Sequence, residues 1–224
     1  MSIERLREIA LSVRNWGRWG PDDEIGTLNY ITPESIAAAC RLATTGKVFS
    51  LGIPLQRKGP QSGNSMSHAT KVVQMLEPGY AITPADLDAT AAAQKVEVRR
   101  GDLLLIRTGF IGKYIERGDW GTYDSDPSPG VSVHTAPWMH AKQIAAVASD
   151  NYAVEVRPSE MAVFRSPFHA CAIPNMGLTL GEIFNLEDLA KDCAADGRYA
   201  FLLVAPPLPV TGGVGTPINP YALK

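Results

Sequence analysis

Apolar and polar positions along this chain alternate between helix-like and strand-like patterns without a long linker. Two helix starts are marked by a threonine followed by a proline, the preferred N-cap and first-turn residues, and they predict helices over 32–46 and 83–94. The N-terminal stretch MSIERLREIALSVRNW has the pattern of an amphipathic helix. Further helices are predicted over 139–148 and from Asn185, where Asp188 stands in a variant of the capping box.

Short apolar runs that follow turn signals predict the strands. These runs cover 103–107, 152–156 and 199–205, and their length and continuity are typical of strands buried on both faces. A turn-rich loop, 118–130, either covers a site or crosses the surface. The chain is therefore predicted to be an α/β domain with a central mixed β-sheet flanked by helices.

Composition and charge limit the class of partner. The 224 residues are 45% hydrophobic and 20% charged with a net charge of -2, which is typical of one compact globular domain spanning 1–224. No basic stripe indicates nucleic acid, and no apolar run or polybasic patch indicates a membrane. A small-molecule substrate is the expected partner.

The cysteines and the N-terminus point to a reducing compartment. The three cysteines lack C-x-x-C spacing, so neither a disulfide framework nor a thiolate zinc site is predicted. The first residues do not have the apolar core of a signal peptide. We therefore expect a cytoplasmic protein.

Candidate chemistry concentrates in the segment SPFHACAIPNMGLTLGEIFNLEDL, which contains His169 and Glu182. An imidazole and a carboxylate that converge from an apolar setting could bind a divalent metal or act as a general base. We interpret Cys171 as a small buried cysteine and not as a nucleophile, because buried cysteines are more frequent than reactive ones. The sequence contains no G-x-S-x-G elbow, Walker P-loop, H-E-x-x-H helix or EF-hand loop.

Several motifs, in order along the chain, resemble one family. They read NWGRWGPDDEIGTLNYITPE, EPGYAITPADLD, RGDLLLIRTG, FHACAIPNMGLTLGE and TGGVGTPINP. Together they look like the cyclase family of metal-dependent hydrolases, which includes kynurenine formamidase and isatin hydrolase. The resemblance implies a swivelling β/β/α-type fold, a divalent metal such as zinc or manganese, and hydrolysis of formamide, lactam or cyclic imide carbonyls with metal-bound water. It also implies a homodimer or larger homo-oligomer.

The resemblance carries over only part of the family's metal site. His169 and Glu182 match the later pair of metal ligands. The earlier cluster, of the type H-x-G-T-H-x-D, has no counterpart: residues 60–76 read PQSGNSMSHATKVVQML, with one histidine, His68, and no acid. The segment 62–76 is therefore interpreted as an atypical bridge, which stands where the H-x-G-T-H-x-D cluster of the family would be expected. His68 is a candidate third ligand, but a loop histidine must be ordered at an entropic cost.

Three hypotheses follow. The first is a metal-dependent amide hydrolase. The second is a catalytically silent member that acts in binding or oligomerisation, and the third is a truncated or mis-spliced form of a longer enzyme. Trp16 and Trp19, with Arg18, either pack the fold or line an aromatic substrate pocket.

Overall fold

The computed structural model describes residues 1–54, 60, 75–213 and 215–224. Within them the chain forms seven α-helices: α1 (Ile3–Ser12), α2 (Pro33–Cys40), α3 (Pro84–Ala93), α4 (Phe110–Arg117), α5 (Thr135–Lys142), α6 (Pro167–Cys171) and α7 (Glu187–Asp196). Its strands are β1 (Val48–Ser50), β2 (Ala81–Ile82), β3 (Leu103–Ile106), β4 (Gly130–Val131), β5 (Ala146–Ser149), β6 (Thr179–Gly181), β7 (Leu202–Val204) and β8 (Tyr221–Leu223). The mixed α/β class is thereby confirmed.

The strands of the described residues fall into three small sheets. β3, β5 and β6 form a parallel sheet with β5 in the middle, and β1, β8 and β7 form an antiparallel sheet with β8 in the middle. β2 and β4 make a two-stranded parallel pair. All four residues of β5 are buried, as expected for a central parallel strand that is covered on both faces.

The two larger sheets are joined by side-chain packing. The main core lies under α1, α5 and α6, and it includes Ile106 of β3 and Val147 of β5. A second core contains Ala148 of β5, Ala222 of β8 and the apolar side of α7. Because β5 contributes to both cores, the parallel sheet is the element on which the rest of the fold is organised. No helix among the described residues is both long and apolar enough to cross a bilayer.

Local sequence signals account for the starts of α1, α2 and α3. Ser2 caps α1, and Thr32 and Thr83 form capping boxes with Ser35 and Asp86 at the starts of α2 and α3. All three helices confirm the predictions, although α2 ends at Cys40, before the predicted stop at 46. The last helix, α7, also forms after Asn185, but Leu186 is its N-cap and the predicted capping box is absent there.

The predicted helix over 139–148 is wrong in its second half. α5 ends at Lys142, where Gln143 adopts a left-handed φ of 55°, and the following apolar run forms β5. A continuous apolar run is compatible with a buried helix or a buried strand, so its periodicity does not decide between them. The strand predicted over 152–156 is also wrong, since those residues form bends with one isolated bridge at Glu155.

The capping box of α3 leads to a stability prediction. The Oγ1 of Thr83 accepts a hydrogen bond from the backbone N–H of Asp86 at 3.3 Å. Replacing Thr83 by alanine removes this acceptor, and we expect the free energy of unfolding to fall by about 1 kcal/mol. Urea denaturation measures the change. Thr90→Ala, within the same helix, is the control and is expected to change stability by less than about 0.5 kcal/mol.

Candidate metal-binding site

His169 and Glu182 lie on either side of the connection between α6 and β6, and their side chains are in contact. His169 lies on α6, which continues into a π-helical turn, Ala172–Met176, and then into β6. Glu182 directly follows the last residue of β6. The chain thus turns back on itself, and the Nε2 atom of His169 lies 3.3 Å from Oε1 of Glu182. The structure brings together the two residues that the sequence singled out.

The site lies at the carboxyl edge of the parallel sheet. Thr108 comes shortly after β3, Asp150 directly follows β5, and Glu182 directly follows β6. The carboxyl ends of parallel strands face the same edge, and ligands of α/β proteins bind preferentially at that edge. The topology therefore supports a functional role for the residues after these three strands.

A second glutamate, which the sequence analysis did not single out, holds the other side of the imidazole. Oε1 of Glu155 lies 2.5 Å from Nδ1 of His169, and the Glu155 side chain is only 2% exposed. Its carboxylate also accepts hydrogen bonds from the backbone N–H groups of Phe168 and His169, at 3.0 and 3.3 Å. His169 is therefore enclosed between a buried and an exposed carboxylate.

This arrangement favours a positive charge at the imidazole. Burial by itself lowers the pKa of His169, but the hydrogen bonds and negative charges of Glu155 and Glu182 together outweigh it and raise that pKa to about 9. A lone pair on Nε2 facing a carboxylate oxygen would be repulsive. Either a proton or a metal cation between these two atoms removes the repulsion.

A buried carboxylate network supports the strand ends behind the site. The side chain of Asp150 accepts hydrogen bonds from the backbone N–H and the hydroxyl of Thr108 and from the backbone N–H of Gly109, at 2.7 to 2.8 Å. The hydroxyl of Tyr123 donates to the Asp150 carbonyl at 2.7 Å. Tyr123 belongs to the loop 118–130, whose aromatic residues pack into a core cluster. The loop thus supports this edge of the sheet.

The backbone is strained next to both glutamates. Val154 precedes Glu155 with a φ of 57°, and Ile183 follows Glu182 with a φ of 62°. A β-branched residue with a left-handed φ is a genuine outlier, and such outliers cluster at functional sites. Asn151 connects the two strained turns, because its side-chain Nδ2 donates to the Val154 carbonyl at 3.3 Å and its backbone carbonyl accepts from Ile183 at 3.1 Å.

Cys171 and the two other histidines that the structure describes, His134 and His140, make no contact with the carboxylate of Glu182 among the described contacts. Cys171 is buried, and burial, followed by the nearby charge of Glu155, raises the pKa of its thiol to about 11, which disfavours a nucleophilic thiolate. His134 is exposed, and His140 contacts Asn15 through Nε2 at 3.1 Å. His68 lies outside the described residues, as does most of the predicted bridge 62–76.

An open cleft of about 490 Å³ lies beside His169. Phe164 and Ile173, which line it, are 38% and 52% exposed. Ile173 and Pro174 also border a larger groove of about 1150 Å³, which Trp16 and Trp19 line. Trp16 donates to the Pro174 carbonyl at 2.7 Å and remains 63% exposed. The tryptophans therefore both pack on their neighbours and face a groove.

The ligand atoms available at the site decide whether a divalent metal fits. Imidazole nitrogen and carboxylate oxygen are ligands that zinc accepts, and a catalytic zinc site has three protein ligands. His169 and Glu182 supply two of them. In the ranges that the structure describes, no group of three His, Cys, Asp or Glu residues is placed to hold a metal ion. The described residues thus fit one half of such a site.

Comparisons with known proteins agree with the resemblance in the sequence. The Cyclase family model matches residues 64–156. A solved structure described as a novel cyclase is 31% identical, with a TM-score of 0.81, and the match covers 96% of this chain and 99% of that one. A comparison with curated protein sequences found no match.

Two isatin hydrolases share the fold at lower identity. One, bound to the product analogue thioisatinate, has a TM-score of 0.54 at 20% identity, covering 66% of this chain and 54% of its own. Isatin hydrolase A from Ralstonia solanacearum has a TM-score of 0.54 at 15% identity, covering 73% of this chain and 61% of its own. The identity and coverage of the novel cyclase, together with the family model, show that this chain belongs to the cyclase family.

Proposed function

We propose that this protein is a metal-dependent hydrolase of amide-like carbonyls, with His169 and Glu182 as metal ligands. The observation that carries the proposal is the approach of His169 Nε2 to Glu182 Oε1 at 3.3 Å, with Nδ1 of the same ring held by the buried Glu155. This is the arrangement of a metal-ligating histidine supported by a carboxylate behind it. The hydrolase activity named for the isatin hydrolases of the same fold supports the reaction class.

Each residue of the site would have a separate role in metal binding or substrate binding. A bound divalent ion would supply Lewis-acid chemistry, polarising a carbonyl and activating water. Glu155 keeps a proton on Nδ1 of His169, so that Nε2 is the ring atom available to a cation. Glu182 adds negative charge on the solvent side, where its side chain is 36% exposed. The apolar cleft next to His169 offers contact area for the non-reacting part of a substrate.

Removal of the metal tests the proposal directly. We expect the purified protein to hydrolyse at least one member of a panel that contains a formamide (N-formylkynurenine), a cyclic amide (isatin) and a cyclic imide. Dialysis against a chelator should abolish the activity, and addition of zinc or manganese should restore it. Hydrolysis that survives complete removal of the metal would contradict the proposal.

A second candidate function is supported by the incomplete donor set. The described residues supply only two metal ligands, as expected for a member that binds a ligand or another subunit without catalysis. Such a protein would unfold cooperatively, contain less than a stoichiometric amount of zinc or manganese, and hydrolyse none of the panel. Light scattering would also measure the oligomeric state, which we predict to be a dimer or larger from the family resemblance.

A further inference from the structure

The hydrogen bonds of the Glu155 carboxylate, among the described residues, all run to the first turn of α6 and to the ring of His169. The Glu155 side chain is 2% exposed, and its partners are the backbone N–H of Phe168 and the backbone N–H and Nδ1 of His169. A buried carboxylate needs such bonds, because leaving it without partners would cost several kcal/mol. Glu155 therefore fixes both the start of α6 and the ring of His169.

The bond to Nδ1 determines which ring nitrogen is free. The Oε1 atom of Glu155 accepts from the backbone N–H of His169 and also faces Nδ1 of the same residue, so in this arrangement Nδ1 is the donor and carries the proton. In the neutral ring the lone pair then lies on Nε2, the atom that faces Glu182 at 3.3 Å. A hydrogen bond on one ring nitrogen thus sets the protonation and direction of the other.

The backbone of Glu155 is itself held in place from two sides. Asn151 Nδ2 donates to the carbonyls of Pro129 and Val154, at 2.7 and 3.3 Å. On the other side lies Gly130, where a Cβ atom would come within 2.4 Å of the Glu155 carbonyl carbon and 2.6 Å of Asn151 Nδ2. Only glycine leaves room for this approach. The backbone position of Glu155 is therefore fixed by the strained turn at Val154, by the buried amide of Asn151 and by the close contact with Gly130.

We propose that Glu155 is the positioning residue of the site: it keeps the proton on Nδ1 of His169 and directs Nε2 toward Glu182. The role of Glu155 in metal binding rests on the proposed function, whereas its control of the protonation and direction of the His169 ring does not. Glu155 is a positioning residue and not a catalytic one, because its described contacts are to α6 and it is closed off from solvent.

Nuclear magnetic resonance of protein with ¹⁵N-labelled histidine tests the proposal, with His169→Ala identifying the signal. In the wild type we expect a downfield, exchange-protected proton on Nδ1 of His169. Glu155→Gln preserves the size of the side chain, but its amide can donate to the ring. We expect this variant to lose the protected proton and to bind zinc about 10- to 100-fold more weakly in competition with a chromophoric chelator.

Glu160→Gln is the matched control. Glu160 accepts hydrogen bonds from the Ser132 hydroxyl and the Val133 backbone N–H, at 2.8 and 2.7 Å. Its replacement therefore tests a partly buried carboxylate that accepts similar bonds but does not contact His169. We expect a similar loss of thermal stability with an unchanged His169 signal and unchanged zinc affinity.

Two results would overturn the proposal. One is the absence of a proton on Nδ1 in the wild type, which is decisive even if Glu155→Gln does not fold. The other is a folded Glu155→Gln variant with the wild-type His169 signal. A wild type that shows the protected proton but binds no zinc would reject the proposed function and leave the control of the imidazole by Glu155 standing.

Discussion

If the proposed function holds, replacing His169 by alanine is expected to abolish metal binding and to lower kcat/KM for amide hydrolysis by about a thousandfold or more. The variant deletes the only imidazole within reach of Glu182 among the described contacts, and one carboxylate does not hold a zinc or manganese ion by itself. Loss of the Lewis acid raises the barrier by several kcal/mol, and about 4 kcal/mol corresponds to a thousandfold. Metal content by mass spectrometry and steady-state kinetics measure the two effects.

His134→Ala serves as the control for this experiment, because His134 is exposed and takes no part in the His169 and Glu182 contacts. It is expected to keep wild-type metal content and activity. Glu182→Ala should lose metal as His169→Ala does. Equal metal content in the wild type and in both site variants would remove these residues from the metal site.

Replacing Asp150 by alanine is expected to lower the free energy of unfolding by about 3 kcal/mol or more. Its carboxylate is completely buried and accepts from the backbone N–H groups of Thr108 and Gly109. Without an acceptor, each buried donor costs about 1–3 kcal/mol. A domain of this kind is stable by about 5–15 kcal/mol in total, so a large share of the stability would be lost. Urea denaturation at constant m-value measures the change.

Asp86→Ala provides a matched comparison. The Asp86 carboxylate accepts hydrogen bonds from the Thr83 N–H, the Thr83 hydroxyl and the Tyr80 hydroxyl, but the pairs are exposed. Water can replace the lost acceptor there, and we expect a loss of about 1 kcal/mol. If the free energy of unfolding fell equally in the two variants, burial would not determine the contribution of Asp150 to stability. Asp150→Asn, which preserves the shape, should be intermediate.

The starts of α2 and α3 were predictable from the sequence because their determinants are local. The Thr83 and Asp86 capping box spans four residues, and the side chains that make it are adjacent on any chain that begins a helix there. β5 was not predictable by the same means. Its run is apolar throughout, and only pairing with β3 and β6 makes it a strand. The wrong helix over 143–148 reflects this dependence on distant partners.

The candidate site was predictable in part. His169 and Glu182 stood out as an imidazole and a carboxylate in an apolar segment, and the family resemblance pointed to the same pair. Glu155 was missed because its run, YAVEV, was interpreted as a buried strand. A single acid in such a run was the available signal, since a carboxylate is rarely buried without a partner. The role of Asn151 has no comparable signal in the sequence.

The sequence by itself determined the α/β class, the positions of most helices, the cyclase family and the two residues at which a metal site is proposed. These features depend on contacts within a few residues or on the chemical type of a side chain. Only the tertiary structure decided that Glu155 holds the ring of His169, fourteen residues away, and that Asn151 ties the turns beside both glutamates. The physical reason is that these bonds depend on the path of the chain between their ends, which the packing of the parallel sheet determines.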